Sequence, residues 1–145
     1  MTLVPLDETM MRRWVALRAQ LAPQTPLSRH WLEGCALLDA APYAALLALD
    51  AEGEAQGFVE IALQPETLSR GAPARLRLCC LFVSPDRRRR GVATALMAAA
   101  AAWGRQRGCA EMVTAVALED RAQQRMLTAL GLTEQARQVT YRLPL

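Results

Sequence analysis

The residues of this chain whose types and spacing could do chemistry are concentrated between Leu76 and Trp103, in LRLCCLFVSPDRRRRGVATALMAAAAAW. The apolar run Leu76 to Val83 reads as a buried strand and Ser84-Pro85-Asp86 breaks it. Four arginines, Arg87 to Arg90, then lead through Gly91 into an Ala-rich helical pattern. Strand, basic turn and helix start together make an anion site. The first helical turn carries backbone N–H groups with no internal partner, and the aligned peptide dipoles add partial positive charge there. Phosphate oxygens accept such N–H groups. Gly91 has no Cβ, so a ligand can approach the backbone; Ala93 is the next smallest choice, and the arginines supply guanidinium groups suited to phosphate. At about 1.5–3 kcal/mol for each charge-assisted hydrogen bond, several together could hold a diphosphate.

The elements that must position this stretch follow in chain order. Leu3 to Leu6 is a candidate strand. Asp7 is placed to cap a helix carrying Met10, Met11, Trp14, Leu17, Arg18 and Leu21, which Pro23 ends. Thr25-Pro26 has the arrangement for a second helix, about Pro26 to Ala40, with Trp31, Cys35 and Leu38 on one stripe. Tyr43 to Asp50 and Gly57 to Leu63 read as a hairpin around Ala51-Glu52-Gly53-Glu54. Pro65 to Pro73 reads as a loop before the central strand, Ala74 to Val83. The anion-binding helix spans about Arg90 to Arg107, with Val92, Leu96, Ala99 and Trp103 on its buried side, and Gly108 stops it. Glu111 to Val116 is a short strand, parallel to the central one because a helix of crossover length separates them. Glu119 to Leu130 forms a further helix ended by Gly131, and Arg137 to Leu143 a closing strand. The expected fold is α/β: one domain over residues 1–145, a mixed, mostly antiparallel sheet with helices on both faces.

Composition narrows the class. The chain has 145 residues, of which 52% are hydrophobic and 21% charged, enough for one ordinary core and not disordered. The net charge of +3 is smaller than the charge of the Arg87 to Arg90 run alone, so the basicity marks one loop. A nucleic-acid binder would show a basic stripe with interleaved aromatics, and no nucleic-acid partner is expected. No apolar run reaches membrane-spanning length and Thr2 to Glu8 is no signal peptide, so the expected location is cytoplasmic, with no membrane partner. Cys35, Cys79, Cys80 and Cys109 lack paired metal spacing and His30 is the only histidine. No metal is expected, and all four thiols should be reduced. Cys79 and Cys80, adjacent on a strand, should point to opposite faces.

Arg88-x-x-Gly91-x-Ala93, preceded by Leu81-Phe82-Val83-Ser84-Pro85 and followed by Thr94-Ala95-Leu96, resembles the acetyl-CoA signature of the GNAT acetyltransferase superfamily, R/Q-x-x-G-x-G/A after the fourth strand. The second half, GVATALMAAAAAWGRQRGCAEM and QQRMLTALGLTEQARQVTYRLPL, is similar to aminoglycoside 6'-N-acetyltransferases within it, and Trp14, Leu17, Arg18, Leu21 and Pro23 also fit. The resemblance covers nearly the whole chain. It implies splayed parallel strands four and five and an acceptor site lined by the first two helices. It implies acetyl-CoA as donor, bound by Leu81, Phe82, Val83, Arg88, Arg89, Arg90, Gly91, Val92, Ala93 and Thr94, with Asp120 where many relatives have a CoA-contacting Asn. Pantetheine would pair with the strand edge at Leu81 to Val83, and a backbone N–H near Val83 would meet the acetyl oxygen. A homodimer paired through C-terminal strands, around Arg137 to Tyr141, is implied as well.

The departures bear on the acceptor. Where aminoglycoside enzymes present carboxylates to a polycation, this chain has Cys79 on the fourth strand, Ala115 at the ending of the fifth and Ala136 near the C-terminus. Cys79 and Ala115 are the candidate acceptor-site positions, and a typical aminoglycoside is not the expected substrate. The implied reaction is N-acetylation of a small primary amine by direct attack on the thioester, which needs a proton acceptor. Glu60 is the first candidate, although its alternation with Phe58 leaves open a solvent-facing charge. Asp120 is the second and can equally cap a helix; water alone is the third. Many relatives carry an acidic tyrosine where register from Leu130-Gly131-Leu132 places Leu127. Tyr141 is the C-terminal phenol that could substitute, or it packs as a strand residue. Cys80 reads as packing rather than as a nucleophile, since no His or Lys lies nearby in sequence. Acylation of a peptide or protein amine, and a non-catalytic acyl-CoA-binding module, are the alternatives.

Overall fold

Strand β1 (Thr2–Pro5) opens the chain and Asp7 turns it. The Asp7 carboxylate accepts from the N–H groups of Thr9 and Met10, capping a short 3₁₀ turn that runs on into α1 (Met11–Leu21). The computed structural model describes residues 1–39, 42–64 and 74–145. In these, α1 is followed by α2 (Leu27–Asp39), β2 (Tyr43–Leu49), β3 (Ala55–Gln64), β4 (Arg75–Val83), α3 (Val92–Gln106), β5 (Glu111–Val113) and α4 (Arg121–Ala129). The expected loop Pro65 to Pro73 and the last residue of the second helix, Ala40, lie outside the described residues. By packing the chain divides into two compact units, Met1–Thr114 and Ala115–Leu145.

The first unit holds the sheet, in the order β1-β2-β3-β4-β5. All neighbours are antiparallel except β4 and β5, whose crossover is α3. The β2–β3 hairpin is closed as the sequence indicates: Asp50 accepts from the N–H groups of Glu52 and Glu54, and Gly53 takes φ +82°. Leu47, Phe58 and Phe82 are register partners across three strands and share a face. On it the fully buried Trp14 of α1 lies 6.3 Å from the Phe58 ring, and Phe58 lies 5.9 Å from Phe82. The opposite face carries α3, where a side chain at Gly104 would come within 2.9 Å of Leu76. Helices therefore cover both faces of a mixed sheet, as expected.

Two expectations are corrected, on α3 and at the C-terminus. On α2 the stripe of Trp31, Cys35 and Leu38 forms as read and lines a pocket with Leu6 and Met11, while the side packed on α1 is His30 and Gly34. Close approach selects that side. A Cβ at Gly34 would sit 2.5 Å from Met11 Cε and 2.9 Å from the Trp14 ring, so the bare glycine faces α1. On α3 the buried residues are Val92, Leu96, Met97, Ala100 and Gly104. Ala99 and Trp103 are only half-buried, and the Arg107 guanidinium lies over the Trp103 ring at 3.8 Å. The contact of Gly104 with Leu76 turns the helix by about one position. The closing strand Arg137 to Leu143 is not formed: residues 132–145 carry no regular element, and Val139, Tyr141 and Leu143 are exposed. The unit Ala115–Leu145 contains no other strand that could supply a hydrogen-bonding edge.

β3 and β4 approach closely at Gly57, whose partner is Val83. A Cβ there would stand 2.5 Å from the Phe82 carbonyl oxygen and 3.2 Å from Val83 Cα, backbone that cannot swing aside. Gly57→Ala is expected to lower stability in urea unfolding by about 1–3 kcal/mol, as overpacking does. An unchanged midpoint would mean that β4 moves freely at this point.

Candidate active site

The N-terminus of α3 is open, and its first backbone N–H groups are unpaired among the described residues. Gly91 adopts φ +80°, a left-handed conformation that strains any residue with a side chain, and supplies no side-chain cap. The first bond into the helix is Ala95 N–H to Gly91 O. The N–H groups of Val92, Ala93 and Thr94 find no backbone or side-chain acceptor among the described residues. Nothing lies within 4 Å of an ideal Cβ on Gly91, so this end of the helix is open.

The four arginines divide into two kinds. Arg87 is tied to Asp50 of the hairpin at 2.8 Å. Asp50 is held below the ordinary carboxylate range, first by the N–H of Glu54 and then, against some burial, by Arg87 and Glu52. Arg88 donates Nε–H to the Val83 carbonyl at 2.9 Å, with its guanidinium 5.9 Å from the Phe82 ring, so one of its donors is committed to the end of β4. Arg89 and Arg90 are exposed and make no ion pair among the described residues. Arg89 takes φ +62°, an uncommon conformation outside glycine that shapes the turn into Gly91. A run of identical residues thus contains anchors and free cations, a distinction fixed by neighbours distant in sequence.

β4 and β5 pair over only three positions, Arg75 with Glu111, Leu76 with Met112 and Arg77 with Val113. Beyond them the Thr114 hydroxyl donates to the Leu78 carbonyl at 2.9 Å and the ladder ends. β4 continues to Val83, paired on the β3 side only. Leu81, Phe82 and Val83 therefore offer a backbone edge on the side toward β5. The side chains of Phe82 and Val83 are buried, so these residues can serve a ligand through the main chain.

Beside this opening the sheet carries a bulge. Glu60 pairs with Cys80 but Ile61 pairs with Leu78, leaving Cys79 without a β3 partner. The expected alternation of Cys79 and Cys80 is broken there, and the charge of Glu60 acts on both thiols. Cys79 is exposed. The half-buried Cys80 is pushed up to about 12, chiefly by burial and then by Glu60, so it carries no thiolate near neutral pH.

Glu60 is not the solvent-facing charge that its pattern allowed. It is 8% exposed and shares the Phe58 face with α1. Its Oε1 lies 3.3 Å from Arg18 Nη1, while Arg18 Nη2 binds Glu33 of α2 and the Arg18 guanidinium sits 5.1 Å from the Trp14 ring centroid. Burial raises the Glu60 carboxyl above its ordinary value and Arg18 only partly opposes this. Trp14 Nε1 and Arg18 Nε are buried without a hydrogen-bond partner, and Glu60 Oε1 has the Arg18 ion pair but no well-formed hydrogen bond. Two donors and one acceptor with unused capacity thus belong to one cluster. Arg18 is the member that sequence reasoning had not singled out as functional. The available signal was an arginine on the same apolar stripe as Trp14 and Leu17, where a charge needs a partner.

The remaining candidates belong to Ala115–Leu145. Asp120 accepts from Gln123 N–H at 3.1 Å and caps α4, the second of the two roles its position allowed. Leu127 is the buried residue of α4. Ala115 is exposed, and Tyr141 is 90% exposed with no hydrogen bond from its hydroxyl among the described residues.

Comparison with known proteins agrees with this geometry. The sequence pattern of the acetyltransferase (GNAT) family matches residues 7–132. Aminoglycoside N(6')-acetyltransferase type 1 of Klebsiella aerogenes is 35% identical, covering 97% of this chain and 95% of that protein. The solved structure of AAC(6')-Iy in complex with the bisubstrate analogue CoA-S-monomethyl-acetylneamine superimposes with a TM-score of 0.88 at 31% identity, over 99% of this chain and 98% of that one. The apo structure of aminoglycoside 6'-N-acetyltransferase AAC(6')-IG from Acinetobacter haemolyticus gives 0.89 at 27% identity, over 100% and 99%.

The Glu60 carboxyl has a direct consequence for stability. Since burial raises its native pKa above the ordinary value of 4.5, the folded state binds the proton more tightly than the unfolded state. Its stabilising contribution is complete below that value and is lost as the pH rises through the raised one. Glu60→Gln should remove this loss, so that melting temperature falls less steeply than in the parent as the pH rises above the ordinary carboxylate range. Parallel curves would show that Glu60 titrates alike in both states.

Proposed function

The chain belongs to the acetyltransferase (GNAT) family, and we propose that it transfers acetyl to the primary amine of a small molecule by direct attack on the thioester, with Glu60 as proton acceptor. It is an acyltransferase whose donor is acetyl-CoA. The observation that carries the reading is the pairing of an open α3 N-terminus with an open β4 edge. The unpartnered N–H groups of Val92, Ala93 and Thr94 suit the diphosphate of the donor, with Arg89 and Arg90 free beside them. The backbone of Leu81 to Val83 suits the amides of pantetheine by strand addition. When bound there, acetyl-CoA supplies the acetyl group as an activated thioester.

The protein's own part is to position an amine and remove its proton. Glu60 stands opposite Cys80, in the strand pair whose edge opens after Arg77. A carboxyl raised by burial holds a proton more readily than an ordinary one, which suits it to receive a proton from an amine near neutral pH. The spare donors on Trp14 and Arg18, with Glu60 Oε1, support transfer through a water as well as directly. Cys80, almost wholly a thiol, supports attack by the amine itself over an acetyl-cysteine intermediate. Tyr141 has no position in this scheme. A single catalytic domain is supported by the family match across both compact units. We propose a cytoplasmic location as well; no helix among the described residues is long and apolar enough to cross a membrane.

Thiol release from acetyl-CoA should be detected on a panel of primary amines that includes kanamycin. Glu60→Gln should lower kcat about 100-fold with little change in donor affinity. Gly91→Val should abolish donor binding in calorimetry, because a side chain there is strained and occupies the approach to the amides. Tight acetyl-CoA binding with silence on every amine would instead identify an acyl-CoA-binding module.

We also propose a homodimer. Val139, Tyr141, Leu143 and Leu145 are exposed and alternate as strand residues do, yet form no strand in a single chain. Light scattering should give twice the monomer mass, and removal of residues 137–145 should return it to monomer; a dimer that survives would place the interface elsewhere.

A further inference from the structure

Resting on the transferase reading above, we infer that Arg77 makes the acceptor site selective for amines that also carry an anionic group, a carboxylate or a phosphate, at the far end. Arg77 occupies the last paired position of β4 and β5, opposite Val113, so its strand position is the vertex from which the two strands part. Its other partner is Ala62, two residues from Glu60 on the same face of β3. Arg77, the bulged Cys79, Cys80 and Glu60 therefore surround one stretch of the face that α1 and α2 cover. The guanidinium lies near enough to act on the Cys79 thiol.

The charges on this face do not cancel evenly. Arg18 is engaged with both Glu60 and Glu33, and Arg29 adds a second cation at 3.7 Å from Glu33. Arg75, two residues before Arg77 on the same face, is neutralised by Glu111 at 2.8 Å. Arg77 is exposed and has no carboxylate within ion-pair distance among the described residues. Among the described residues, the uncompensated charge beside the bulge is thus positive. A polycation meets repulsion there. An acceptor with an anionic tail meets a planar donor fork suited to carboxylate or phosphate.

Spacing sets the length of the acceptor. Arg77 stands two residues before the bulged Cys79, about 7 Å along β4, so amine and anion should be several bonds apart. Suitable probes are 5-aminopentanoate, its neutral amide 5-aminopentanamide, and 4-aminobutyl phosphate. In steady-state kinetics with the full chain, the two anionic amines should exceed the amide in kcat/KM by about tenfold or more, the advantage residing mainly in KM. Arg77→Met should bring acid and amide level, and Arg77→Glu should invert the order and improve kanamycin. Because Arg77 is exposed, both variants should keep the parent circular dichroism. If the phosphate amine alone is favoured, the anionic group is phosphate, and if the carboxylate alone, it is carboxylate; either supports Arg77 as the determinant. Equal kcat/KM for acid and amide in the parent, or a preference that survives Arg77→Glu, overturns the inference while leaving the transferase reading intact. Silence on all three probes and kanamycin overturns both.

Discussion

The structure depends on the early end of one parallel strand pair. β5 follows β4 for three residues, and then the Thr114 side chain takes the Leu78 carbonyl that a continuing ladder would have used. A hydroxyl can satisfy that carbonyl without adding another strand residue, so the last shared backbone group is not left bare while the strands part. The exposed β4 edge and the open end of α3 then lie at the same end of the sheet, as the strand-to-helix connection requires. A longer β5 would have closed the edge and left a conventional α/β layer.

The buried charge of Glu60 is the second constraint, and it is a costly one. Removing a carboxylate from water is unfavourable by several kcal/mol, and a guanidinium shared with Glu33 returns only part of that. A hydrophobic residue between Phe58 and Ala62 would pack the same face with less penalty. The retained carboxylate links β3 to α1 and α2 through Arg18. With Glu60 as the proposed proton acceptor, the cost in stability falls where local rules of sequence and packing are expected to fail.

Charge elsewhere follows a simpler rule, in which cations near the anion site are either anchored or left free. Arg87 fastens the turn to the β2–β3 hairpin through Asp50, and Arg88 fastens it to the end of β4. The Ser84 hydroxyl bonds Gln20 of α1 at 2.9 Å and ties the same corner to the opposite layer. With the corner held on three sides, Arg89 and Gly91 can keep their positive φ and the amides of α3 stay aimed outward.

The sequence by itself determined the strand-turn-helix anion site, the order of the elements, the parallel crossover and the donor. The first three follow from local patterns, namely an apolar run, a break, Gly91 and helical periodicity, each complete within one segment, while the donor was implied by the resemblance of Arg88-x-x-Gly91-x-Ala93 to the family signature. It could not decide which stripe of α2 or α3 is buried, because close approach at Gly34 and Gly104 depends on side chains from other elements. Nor could it decide the bulge at Cys79, which exists only as a mismatch between two strands, or the absence of a closing strand, which needs a partner edge. Glu60 shows the division most plainly. Its residue type made it a candidate base, but tertiary structure alone decided that it is buried on the α1 side against Arg18, because the protonation of a carboxyl is set by the solvent and charge that the fold leaves around it.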